Sequence, residues 1–156
     1  FLMVYKGVAK KNKGMFGGPV SHLVATSDKA TGPFVKRPEP IFGKQGVAFA
    51  AEDPFIWHDG TTYRAIVKDN DGNFTGKGYS LAHFVSADGI AWKPAEHVFV
   101  TTPEITWADG RRQRLNALER PQLFFDQGKP VALFCAAAND KSRDGSFNIQ
   151  IPLATL

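Results

Sequence analysis

Glu52-Asp53-Pro54-Phe55-Ile56-Trp57-His58-Asp59-Gly60 and Glu119-Arg120-Pro121-Gln122-Leu123-Phe124-Phe125-Asp126-Gln127-Gly128 are two copies of one pattern, the second with one residue inserted in its turn. Each reads as an acid, a proline, a short β-rich apolar run and a hairpin turn. The offset between them is 67 residues. The runs beyond the two turns also match. Tyr63-Arg64-Ala65-Ile66-Val67 aligns with Val131-Ala132-Leu133-Phe134, and the opening Phe1-Leu2-Met3-Val4-Tyr5-Lys6 aligns with Tyr63 to Lys68. A second repeat runs alongside: Thr26-Ser27-Asp28 with Gly32-Pro33-Phe34 is similar to Val85-Ser86-Ala87-Asp88-Gly89-Ile90-Ala91-Trp92. A period of roughly 60–67 residues with about four strands per unit is the pattern of a propeller blade with long loops.

The rest of the chain fits an all-β reading. Strands are expected at Phe1–Tyr5, Val20–Thr26, Phe55–Trp57, Tyr63–Lys68, Tyr79–Ser86, Leu123–Phe125, Val131–Ala136 and Phe147–Ile151, and loops at Lys10–Pro19 and Asp69–Asn73. No long amphipathic helix is apparent, and breakers recur every 8–12 residues, as in sandwiches, barrels and propellers. In this register the chain, read as one domain over residues 1–156, opens inside a blade and ends naturally after its last strand. It thus holds about two and a half blades, expected to be the C-terminal part of a larger ring. Open sheet edges then call for missing upstream sequence or a partner chain.

Composition narrows the function classes. With 43% hydrophobic and 22% charged residues, the 156-residue chain is an ordinary globular one. No apolar run reaches membrane-span length, so no membrane partner is expected. No charged-then-apolar leader is visible. The formal charge of +4 comes in short clusters: Lys10, Lys11 and Lys13; Lys36 and Arg37; Arg111, Arg112 and Arg114. Gly, Pro or Asp flanks each, which reads as solvated loops and not as a nucleic-acid surface. The single Cys135, inside an apolar run, excludes a disulfide framework and a cysteine zinc site and reads as buried and inert. No His and carboxylate cluster has zinc spacing, and Asp69-Asn70-Asp71-Gly72-Asn73 lacks the bidentate Glu of a calcium loop. No cofactor or metal is expected.

The acids carry the chemistry. Asp53 stands before Pro54, and Glu119 stands two residues before Pro121. In a propeller the first strand of each blade lines the axis, so acids at its start converge on one pocket. Paired carboxylates in a cleft suit glycosidic bond cleavage, one protonating the leaving oxygen while another works on the opposite face. The residues alone leave a second reading open, in which Glu52 and Glu119 cap the blade entry or pair with Arg120.

The pattern Ala51-Glu52-Asp53-Pro54 followed by Leu118-Glu119-Arg120-Pro121, one blade apart, resembles the five-bladed propeller glycoside hydrolases of families 32, 43, 68 and 117. Ser86-Ala87-Asp88-Gly89-Ile90-Ala91-Trp92 is similar to the outer turn of these enzymes, so the resemblance covers nearly the whole chain. It implies that Glu119 is the general acid, that Asp53 orients substrate and tunes that acid, and that a carbohydrate is the substrate. It implies a first-blade Asp as base or nucleophile. Asp28 sits at an outer rim and does not fill that place, so this residue is expected upstream of Phe1. The resemblance also implies a periplasmic or secreted location.

Further residues are candidates for the sugar site. Lys68 and Asp69 end a strand and lead into a polar loop. Trp57 and Trp107 can stack on a sugar ring or serve the core. His83 lies mid-strand and is either a substrate contact or a satisfied core histidine, and His22 holds the corresponding strand of the previous blade. His58 is expected exposed in its turn. Glu52 and Arg120 flank the two motif acids, and Arg120 beside Glu119 would lower that acid's pKa unless it points away. Two non-hydrolytic readings stand beside the enzyme: a carbohydrate-binding propeller and a protein-interaction propeller.

Overall fold

The computed structural model describes residues 1–10 and 17–153; Lys11 and Lys13 of the first basic cluster lie outside the described residues. Twelve strands form four antiparallel sheets, and no helix occurs among the described residues. The first sheet is β1 (Leu2–Val8), β2 (Val20–Thr26) and β3 (Val35–Lys36). The second is β4 (Ala51–His58), β5 (Tyr63–Asp69), β6 (Ser80–Ser86) and β7 (Lys93–Thr101). A two-stranded hairpin, β8 (Glu104–Thr106) and β9 (Arg112–Arg114), leads into the third large sheet of β10 (Ala117–Asp126), β11 (Lys129–Ala138) and β12 (Phe147–Pro152). Each large sheet is a meander in chain order. Four strands per unit is met only in the second sheet, and no closed barrel or propeller ring is identified among the described residues.

Strand alternation sets the packing. On β5, Ala65 and Val67 face the first sheet and join Val24, Ile41, Phe42 and Phe84 in one core cluster. Ile66 faces the other way and joins Leu118, Leu133, Cys135 and Ile149 in a second cluster between the second and third sheets. Odd and even residues of one strand therefore bind it to both neighbours. Cys135 is buried and its thiol is pushed up to about 12 by burial, consistent with an inert core residue.

The two acid–x–Pro motifs lie inside strands, not ahead of them. β4 and β10 start earlier than the apolar runs suggest, at Ala51 and Ala117. Both ladders shift register at the motif, between Glu52 and Phe55 and between Glu119 and Gln122. Proline has no N–H to give a ladder, so a bulge accommodates it. The bulge residues Asp53 and Arg120 adopt left-handed backbone, with φ of 51° and 52°. The strand β7 and the hairpin β8–β9 escape the alternation reading, because polar residues break their apolar pattern.

Candidate active site

The bulges make Glu52 and Glu119 the equivalent acids, each the last ladder residue before its bulge. Asp53 is equivalent to Arg120, so the pairing of Asp53 with Glu119 read from the prolines shifts by one residue. Both glutamates converge on one ammonium. Lys68 Nζ donates to Glu52 Oε2 at 2.9 Å and to Glu119 Oε1 at 2.7 Å. Lys68 is the last residue but one of β5, and its ladder partner is Glu52 on the same face. From there it spans to the next sheet.

The same relation recurs one unit earlier. Lys6 occupies on β1 the place that Lys68 occupies on β5, and its Nζ donates to Glu52 Oε1 at 2.8 Å. A chain of charges therefore runs Lys6, Glu52, Lys68, Glu119 across three sheets. Arg143, in the loop between β11 and β12, closes it. Its Nη1 and Nη2 bind Glu119 Oε2 at 3.0 Å and Oε1 at 2.9 Å. Asp140 Oδ1 accepts from the Arg143 amide at 3.0 Å and from Ser142 Oγ at 2.7 Å, which fixes that loop.

Glu119 is buried at 4% exposure yet saturated by cations. Burial alone would raise its pKa, and Lys68 and Arg143 together overcome that and hold it below the usual carboxylate range. Glu52 is held low in the same way by Lys6 and Lys68. Asp53 goes the opposite way. Burial raises it first, and the neighbouring Glu52 charge raises it further, against the pull of Arg120 and Lys68. Three carboxyls in one place thus differ in their hold on a proton. Lys68 is kept charged by its two glutamates against the cost of burial. Tyr79 sits under Lys68, its ring centroid 5.6 Å from Nζ, and its hydroxyl is clamped between the Leu118 carbonyl and amide at 2.7 and 2.9 Å. Burial raises the Tyr79 pKa, so that hydroxyl stays protonated.

The other sequence candidates fall elsewhere. Asp69 is fully buried and cages its own loop: its carboxylate accepts from the amides of Asn73, Phe74 and Thr75 at 2.7, 3.0 and 3.0 Å. It builds the loop and offers nothing to a ligand. Trp57 lies five residues beyond Glu52, up to roughly 16 Å away at about 3.3 Å per residue. There it stacks on His83, ring centroids 6.0 Å apart and planes 8° off parallel, with Phe55 and Phe125 alongside. His83 Nε2 is buried with no hydrogen-bond partner, and burial lowers its pKa, so the ring is a neutral member of this aromatic cluster. Trp107 anchors the β8–β9 hairpin: its Nε1 donates to Gln113 Oε1 at 2.8 Å and its ring lies under the Arg111 guanidinium. His22 and His83 are not counterparts. His22 stands opposite Lys6 and His83 opposite Ile66, so Leu81, opposite Lys68, takes the His22 place. His58 is exposed, as expected.

Arg120 stays near Glu119, with Nη1 3.7 Å from Oε2, but its side chain is 65% exposed. The cations that depress Glu119 most are Lys68 and Arg143. Sequence reading missed Lys6 and Arg143. The match of Lys6 to Lys68 in the repeat was the signal for the first; Arg143 sits in a loop without pattern. Among the described residues no group of three His, Cys, Asp or Glu is placed to hold a metal ion. No protein-family model, curated protein or solved structure matches this chain.

Proposed function

We propose that this chain belongs to a glycoside hydrolase built on a five-bladed propeller, acting on an oligo- or polysaccharide. The observation that carries it is the meeting of Glu52 and Glu119 at one lysine, from matching bulges of adjacent sheets, with Asp53 next to Glu52 pushed the opposite way in its hold on a proton. Three meander sheets stacked through successive cores support the propeller reading. Glu119 is the general acid and Asp53 orients substrate and tunes it. In the free chain Glu119 is ionised, so it takes up a proton only as substrate replaces Arg143. The salt links to Glu119 favour one alternative, a carbohydrate-binding propeller in which the acids only accept hydrogen bonds.

The test is a glycoside panel run on the full-length protein, wild type and Glu119→Gln, checked for retained fold by circular dichroism. Turnover lost with binding kept supports the hydrolase. Saccharide binding without turnover in the wild type supports the binding module. Turnover unchanged in Glu119→Gln overturns the role of Glu119.

A further inference from the structure

Two side chains of the β8–β9 hairpin grip both ends of the loop that carries Arg143. Gln113 on β9 donates from Nε2 to Asn139 Oδ1 at 2.9 Å, where the chain leaves β11. Trp107 packs on Phe147, the first residue of β12, with ring centroids 6.3 Å apart. Arg143 stands midway between Asn139 and Phe147.

Gln113 is fixed in this contact. Its Oε1 accepts from Trp107 Nε1 at 2.8 Å and from Arg111 Nη1 at 2.9 Å. Indole and guanidinium are donors only, so the amide cannot turn over and Nε2 must face Asn139. The stretch behind the hairpin is tied down too. The Leu115 amide donates to the Pro103 carbonyl at 2.9 Å, and the Asn116 amide to the Ala138 carbonyl at 2.8 Å. The tip of the loop is a unit of its own, closed by Asp140 on the Arg143 amide and by the Ser146 amide on the Arg143 carbonyl at 3.2 Å. Arg143 has left-handed backbone, with φ of 63°, which sets the direction of its side chain. Such a tip aims the guanidinium only while its two ends are held.

The charged and titratable groups around Glu119 are Lys68 from β5, Asp53 from β4, Arg120 on its own strand, Tyr79 ahead of β6, and Arg143. The first three stand on ladders and Tyr79 is clamped to Leu118. Arg143 alone among them depends on a loop that another element holds.

We propose that Gln113 is a positioning residue for Glu119, acting through Asn139 and the loop that keeps Arg143 on that carboxylate. The proposal rests on the reading of Glu119 as the general acid and deepens it: the hairpin sets how firmly that acid is held ionised in the free chain.

The test is carbon-13 NMR titration of the Glu119 carboxyl in the whole chain, with circular dichroism as the check of fold. The variants are Gln113→Ala, Asn139→Ala, Arg143→Ala and the double variant of Gln113→Ala with Arg143→Ala. Gln113→Ala and Asn139→Ala are each expected to shift the titration upward, by less than Arg143→Ala does. The double variant is expected to titrate with Arg143→Ala, because the two changes act through one group. Asn139 is exposed and outside the hairpin, so Asn139→Ala carries the test if Gln113→Ala disturbs the fold. A titration unmoved by Asn139→Ala overturns the proposal. So does a Gln113→Ala shift that persists in full without Arg143, since Gln113 then acts by another route. The glycoside panel decides the catalytic reading separately: turnover unchanged in Glu119→Gln strikes the acid and leaves the coupling of Gln113 to Glu119 standing.

Discussion

Lys68 reaches from the second strand of one sheet to Glu119 at the bulge of the next, Nζ to Oε1 at 2.7 Å, and Lys6 repeats that reach to Glu52 at 2.8 Å. The repeat of the sequence is thereby a repeat of an ion pair between sheets. Burial separates the two copies. The Lys68 and Glu119 side chains are 12% and 5% exposed, whereas those of Lys6 and Glu52 are 47% and 20%.

The two lysines therefore differ in what they hold. Lys68→Met strips a buried carboxylate of one partner and leaves it Arg143, so the expected loss at pH 7 is about 2 kcal/mol or more. Lys6→Met removes the more exposed of the two pairs and costs less, about 1 kcal/mol. Glu119 is held below the ordinary carboxylate value in the fold, so the stability it draws from Lys68 is complete above that value. It is lost as pH falls through the lowered one. Urea unfolding across pH is expected to show the wild type and Lys68→Met converging in acid; a constant gap contradicts the ion pair as the source.

His22 supplies a separate acid-side loss. It is 4% exposed, and burial, then Lys6, lower its pKa to about 4 from 6.5. The unfolded chain binds this proton first, so the neutral ring's contribution is full above pH 6.5 and declines toward pH 4. The shift corresponds to about 3 kcal/mol. His22→Gln is expected to flatten the stability curve over that interval. An unchanged slope places the effect elsewhere.

The loop after β5 depends on Asp69 and Gly72. Asp69→Ala abandons three backbone amides and the Thr75 hydroxyl, and the expected cost is about 3 kcal/mol or more. Gly72 has φ of 69°, and an added Cβ runs into the Gly78 backbone nitrogen. Gly72→Ala is therefore expected to lower the thermal midpoint as well. Retention of the wild-type midpoint by either variant removes the structural role assigned to this loop.

Arg143 sets the pH range of any acid catalysis by Glu119. Removing its charge lets the carboxyl return toward the ordinary range, and a general acid works only while protonated. The alkaline limb of kcat/KM is expected to move to higher pH in Arg143→Ala. A limb that stays in place means that another group is the acid.

Much of this was legible in the chain because period-2 alternation and turn residues are strong local signals. β2 falls at Val20–Thr26 as read, and the hairpin turns near Gly60 and Gly128 end the expected strands. The alignment of the two motifs already set Glu52 against Glu119, whereas the pairing of Asp53 with Glu119 read from the prolines does not hold. The bulges put Asp53 level with Arg120, and a bulge leaves no mark in the chain except the proline. Trp57 reads as core before ligand contact and His83 as either, and the packing of Phe125 from the third sheet against Trp57 decides for the core. Arg143 was invisible because its role arises from where a loop folds back.

The carboxyl titration of Glu119, followed by carbon-13 NMR with Glu119→Gln for assignment, tests the site most directly. In the free chain the carboxyl is expected to titrate below the ordinary glutamate value, and to move up when a saccharide binds and displaces Arg143. An ordinary value in the free chain, or one that a bound saccharide leaves unmoved, contradicts the assignment of Glu119 as the acid.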